Sequence, residues 1–137
     1  LEIKMGHYCS IKFTSNLSEL GAEIIEYLQN HSLLEASQTF TYYPFIEACY
    51  NRYQWAVIPI TIFDKNNKIW KVDWEHKIKF YERPLKFLIP YLTTKETNFI
   101  YSSEHSDWVE FSITLCPKTP IIQWDRKFGD PTGIEIY

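Results

Sequence analysis

A chain of 137 residues is the size of one ordinary domain and can bury roughly two thirds of the surface its unfolded form exposes, so it needs no disulfide to fold. Its net charge of −3 and the lack of any block of Lys and Arg argue against a polyanion as the main partner, because phosphate-backbone binding rests on clustered cations. Cys9, Cys49 and Cys116 are odd in number, widely spaced and without a C-x-x-C pair, which points to free thiols in a reducing compartment, the cytoplasm, rather than to zinc or thiol-redox chemistry.

No linker or repeat divides the chain, so residues 1–137 read as a single domain with most of its aromatic residues between Phe40 and Phe111. The apolar runs are short and broken by proline, so no membrane span is expected, and the start lacks the apolar core of a signal peptide. Met5 to Ser10 fits the myristoylation pattern M-G-x-x-x-S, but six-residue patterns arise by accident and the segment reads more simply as the approach to a strand. That first strand spans residues 7–14, with Cys9, Ile11 and Phe13 opposed to Ser10, Lys12 and Thr14.

Asn16 and Glu19 have the spacing of a capping box, and a helix should follow with Leu17, Leu20, Ile24, Ile25 and Leu28 on its apolar face. Glu19, Glu23 and Glu26 then face water, residues 30–32 stop the helix, and Gly21 weakens it by about 1 kcal/mol relative to Ala. Residues 33–53 admit two readings: a short helix opened by Pro44, with Phe45, Ile46, Cys49, Tyr50 and Tyr53 on one face, or a strand over 39–43. Residues 55–63 form an apolar run of strand length, and the polar turn 64–68 folds it back on the next strand. Pro59 cannot donate to a ladder, so there the strand is an edge or the pairing is broken.

Residues 70–80 carry the clearest pattern in the chain. Trp70, Val72, Trp74, His76, Ile78 and Phe80 alternate with Lys71, Asp73, Glu75, Lys77 and Lys79, which requires a sheet with one face on a core and one in water. Pro84 starts a second helix with the stripe Leu85, Leu88, Ile89 and Leu92, and Pro90 should kink or shorten it. Residues 98–102 and 108–116 make a further hairpin around the turn 103–107, its second arm burying Val109, Phe111, Ile113 and Leu115. Short extended pieces follow around 121–124 and 134–137. The expected fold is therefore α+β: a single antiparallel or mixed sheet with helices on one face, resembling the ferredoxin-like β-α-β-β-α-β arrangement with additional C-terminal strands. That likeness says little about activity.

Chemistry-bearing groups are few. His76 lies on the apolar side of its strand, where a ring is either hydrogen-bonded core or a perturbed base, and no H-x-x-x-H spacing supports a metal. Asp73 and Glu75 share a strand face with Lys71 and Lys77, the pattern of a solvated surface. Glu104, His105 and Asp107 lie within four residues, yet these are also ordinary loop residues. Cys9 reads as a small core hydrophobe rather than a nucleophile paired with His7, and four glycines without a motif leave no phosphate-cradling loop. No catalytic, cofactor or metal site is therefore expected.

By elimination the chain reads as a non-enzymatic domain that binds another protein, its contact residues including Asp73, Glu75, Glu104, His105, Asp107 and Trp108. In size and composition it is similar to bacterial immunity proteins and antitoxins, which cover the active site of a toxic enzyme, although no motif carries the likeness. The acidic side chains, with Glu19, Glu23 and Glu26 among them, would then meet a basic nuclease. The alternative is a small hydrolase or metal-dependent enzyme using His76 or His105, and the third reading a single-stranded nucleic-acid binder with stacking rings on the sheet.

Overall fold

The computed structural model of the chain describes residues 8–77, 82–104 and 107–120, apart from the side chains of His76 and Lys77. Its elements run β1 (Tyr8–Asn16), α1 (Glu19–Leu28), α2 (Leu33–Thr39), α3 (Pro44–Arg52), β2 (Ile62–Asp64), β3 (Ile69–Lys77), α4 (Glu82–Leu92), β4 (Thr97–Ser103) and β5 (Phe111–Leu115). The described residues thus form an α+β fold with four helices and one antiparallel sheet of five strands in the order β2-β3-β1-β4-β5. Three helices separate β1 from β2: the expected one, the short helix opened by Pro44 that is one of the two readings of residues 33–53, and α2 between them.

The alternation read from the sequence sets the two sheet faces. On β1, Cys9, Ile11, Phe13 and Ser15 are buried while Tyr8, Lys12 and Thr14 are exposed, and on β3 Trp70 and Val72 are buried between exposed Lys71, Asp73 and Glu75. Ile78 and Phe80 lie outside the described residues, as do the expected pieces at 121–124 and 134–137. Phe13 ties the central strands together: its ring meets Trp70 edge-on at 4.8 Å and stacks on Phe99 at 5.7 Å. Burial of Trp70 and Ser15 leaves no orphan donor, because the indole Nε1 donates to the Pro59 carbonyl and the Ser15 hydroxyl to the Trp70 carbonyl, both at 3.1 Å.

The run 55–63 is not the expected strand, since only Ile62–Asp64 pairs with β3. Pro59 brings no N–H to a ladder, and its carbonyl is turned to the Trp70 indole instead. Where the ladder stops, the Thr61 hydroxyl accepts the Asp73 N–H at 3.0 Å, a side chain replacing a strand neighbour.

The helices follow their caps. Ser18, not Asn16, caps α1, its hydroxyl accepting the Gly21 N–H at 2.9 Å, while Asn16 is still the end of β1. Ser32 and Glu35 form a reciprocal capping box that starts α2, a helix the sequence reading left out. Pro44 sits in the first turn of α3, and residues 39–43 are no strand. Helix α4 runs through Pro90 to Leu92 rather than ending there.

The far end of α4 is a junction for the rest of the chain. A helix leaves its last carbonyls without intrahelical donors. Here the Thr93 hydroxyl donates to the Ile89 carbonyl at 2.9 Å, the Lys118 N–H to Pro90 at 2.7 Å, and the Ser18 N–H to Leu92 at 2.9 Å. Helix α1 crosses at this point with Gly21 against the Leu92 carbonyl, so close that a Cβ there would stand 2.0 Å from the oxygen. Gly21 is therefore required by contact, whatever its helix propensity. Gly21→Ala gains about 1 kcal/mol of propensity but forces two backbones apart, and a net loss of about 2 kcal/mol is expected from overpacking of this kind. A urea midpoint that stays or rises on this substitution would show that the crossing is loose.

Candidate binding surface

Antiparallel register decides which side chains share a face, because residues directly opposite one another point the same way. On the face away from the helices, Lys12 stands opposite Asp73, Ser10 opposite Glu75 and Thr14 opposite Lys71. Lys12, Thr14, Lys71 and Asp73 line a shallow concavity of about 340 Å³ with Asn98 and Ile100 of β4, and Glu75 lies outside it. Asp73 and Glu75 thus lie where the sequence placed them, on an exposed face of mixed charge.

The β4–β5 connection holds most of the other expected contact residues. Glu104 follows β4 directly and is half-buried, while Asp107 and Trp108 are exposed and His105 lies outside the described residues. Asp107 and Trp108 both adopt the left-handed region, at φ 54° and 61°, which costs a non-glycine residue about 1–2 kcal/mol. Two backbone bonds close the turn, Asp107 N–H to Glu104 and Trp108 N–H to Ser103, at 3.1 and 2.9 Å. Since Ser10 pairs with both Ser102 and Glu75, the loop leaves β4 at the end of the sheet where Glu75 lies, two strands or about 10 Å away.

The expected burial of the second hairpin arm does not occur. Phe111 and Ile113 pair with Tyr101 and Phe99 and so belong to the helix side of the sheet, but the helical layer reaches only as far as Leu115. Phe111 is 51% exposed, Ile113 39%, Val109 56% and Trp108 45%, four large apolar side chains within six residues of chain. Scattered surface hydrophobes need no explanation, whereas a contiguous patch does. From Glu96 to Cys116 the sequence has four carboxylates, Glu96, Glu104, Asp107 and Glu110, and neither Lys nor Arg. The stretch of chain that carries these apolar side chains is therefore acidic.

The remaining acidic candidates belong elsewhere. Glu19, Glu23 and Glu26 line a concavity on α1, across the helical layer from Asp73 and Glu75, and Lys68 and Lys65 already pair with Glu19 and Glu26. The seven carboxylates therefore do not form one surface.

The two buried thiols, Cys9 and Cys49, are unsuited to nucleophilic work. Burial pushes the Cys9 thiol up to about 11, with the Glu82 charge adding to the effect, and the Cys49 thiol up to about 12, so both stay protonated at neutral pH. His7 lies outside the described residues, and the side chain of His76, which pairs through its backbone with Cys9, is not described. Among the described residues no group of three His, Cys, Asp or Glu could hold a metal ion. No helix there is long and apolar enough to cross a membrane.

Glu82 was not singled out from sequence, since nothing in Glu82-Arg83-Pro84 marks it for burial. It is 7% exposed, and its Oε2 has no hydrogen-bond partner among the described residues. Desolvation raises its pKa above the usual 4.5, outweighing the backbone bond and the Lys86 and Arg83 charges that act the other way. The folded chain then holds this proton more tightly than the unfolded one. Its share of stability is full below the ordinary glutamate range and falls as pH rises through the raised folded value. Glu82→Gln, with no charge to desolvate, is expected to raise the thermal midpoint at pH 7 and to flatten its decline above pH 4.5. A lower midpoint at both ends of that range would mean that the carboxylate is used.

Comparison with protein-family models, with curated proteins and with solved structures finds no match.

Proposed function

We propose that this chain is a non-enzymatic protein-binding domain of the immunity-protein or antitoxin kind, and that it meets its partner with the β5 edge and the loop before it. The observation carrying this reading is the exposed set Trp108, Val109, Phe111 and Ile113. Aromatic anchors inside a polar rim are what interfaces use. The carboxylates in the same stretch of chain favour a basic partner, such as a nuclease, whose approach they would steer. Two consecutive left-handed residues that hold Trp108 at the surface add support, since strain of this kind persists where a side chain is wanted in place. Free thiols at Cys9, Cys49 and Cys116 agree with a cytoplasmic setting.

The fold reading is refined in the same spirit, as an elaborated ferredoxin-like sheet. Its support is that setting aside α2, α3 and β5 leaves the order strand, helix, strand, strand, helix, strand.

The test mixes the protein with the product of its neighbouring gene and follows complex formation by gel filtration. Phe111→Ala is expected to weaken the complex by at least about 30-fold, the scale of a hot spot. Trp108→Gly should weaken it while holding or raising the thermal midpoint, because glycine relieves the positive φ. A mixture that yields no complex, or a complex indifferent to both substitutions, overturns the proposal.

A further inference from the structure

On the helical layer, α3 and α4 bound a second kind of surface. Helix α4 presents Arg83, Lys86, Phe87 and Tyr91 along one side, and the bond from the Lys118 N–H to the Pro90 carbonyl fixes the segment after β5 against the same helix. With Tyr53 these residues line an open groove of about 380 Å³, within the size range of small-molecule sites. Three of the six lining residues are cations and three are rings. Among the described residues no carboxylate lines it; Glu82, which feels Arg83 and Lys86, is buried in the first turn of α4 and offsets part of their charge.

The rings form a connected row. Tyr53 and Phe87 lie 6.4 Å apart, Phe87 and Tyr91 6.0 Å, and Trp55 extends the row beyond Tyr53 at 6.1 Å. Tyr53, Phe87 and Tyr91 are only half-buried, so part of each ring meets solvent. Arg52 stands 5.7 Å from the centre of Phe87 and Lys118 5.9 Å from that of Tyr91, which brings positive charge to the ring faces themselves. Cations interleaved with half-open rings match a ligand that is both anionic and planar. A carboxylate-bearing peptide would use the cations alone and leave the rings without purpose.

We propose that this groove binds a phosphate ester carrying a planar base, with Lys86 and Lys118 on the phosphate and Tyr53 and Phe87 stacking the base. The chemistry is shared by a free nucleotide and by a nucleotide within a single strand. In a chain of net charge −3 the site is a local concentration of positive charge.

Titration of the intact protein with AMP, with inorganic phosphate and with a labelled ten-nucleotide single-stranded RNA tests this, read by tryptophan and tyrosine fluorescence and by anisotropy. AMP is expected to bind at least tenfold more tightly than phosphate, and more weakly as salt is raised. The double variant Lys86→Glu, Lys118→Glu should weaken it at least tenfold with an unchanged thermal midpoint. Phe87→Leu, which keeps the apolar contact and removes the ring, serves should that double variant fail to fold, and it should weaken AMP but leave phosphate unaffected. RNA binding with the same losses and no AMP binding assigns the site to a strand. No binding of AMP or RNA at millimolar concentration, equal affinity for AMP and phosphate, or binding indifferent to these substitutions overturns the proposal.

Discussion

The structure depends on one close approach, the crossing of α1 over the end of α4. Gly21 lets the two backbones come together, and the Leu92 carbonyl takes the Ser18 N–H. The Asn16 carbonyl in turn accepts the Thr94 N–H. Four elements therefore change direction within a few residues of one another: β1 becomes α1, and α4 becomes β4. The contact fixes the height of the helical layer above the sheet, and with it the depth at which Ile24, Ile25, Leu88 and Ile89 pack on Phe13 and Trp70. Close packing makes such a layer sensitive to small displacements.

Much of this architecture was legible because the sequence repeats a physical period. The alternation expected over residues 70–80 holds from Trp70 to Glu75, as far as burial is described, and the helical stripe Leu85, Leu88, Ile89, Leu92 is buried throughout, since each is enforced by burial of one face. Misreadings arose where one local signal outbid another. The apolar run before Phe63 looked like a strand, but Pro59 and the demand of the Trp70 indole for an acceptor took its backbone away from the ladder. Asn16 looked like a cap, yet the strand kept it and Ser18 took the role. Helix α2 went unseen although Ser32-Leu33-Leu34-Glu35 spells its capping box, because attention to periodicity passes over a helix of seven residues.

The functional surfaces were less legible, for a reason that is also physical. Asp73, Glu75 and Asp107 could be placed on a strand face or a loop from local pattern alone, and they lie there, whereas Trp108, expected to open the second hairpin arm, lies in the turn before β5. Whether an apolar position is buried depends on what packs over it, and that is not local. Phe111 and Ile113 alternate as a core strand should and are nonetheless exposed, because the helices above end short of them. The ring and cation row on α3 and α4 has the same origin: Tyr53, Phe87 and Lys118 are far apart in sequence and meet because α3 packs on α4 and the Lys118 N–H bonds to the Pro90 carbonyl. Overall charge conceals it, since the acidic and basic surfaces cancel in the sum.

The position of β1 at the centre of the sheet has a consequence for how the protein is made. It precedes every other described strand, yet its neighbours are β3 and β4, and Cys9 pairs with Ser103. At ordinary translation speed the ribosome needs roughly 5 to 20 s to cover that interval. Until β3 emerges, late in it, the strand holds Ile11 and Phe13 without either of its ladder partners, and α1, α2 and α3 are the structures available to shield them. The most buried strand of the mature sheet is thus the longest exposed during synthesis, and folding of the sheet waits on the arrival of β4.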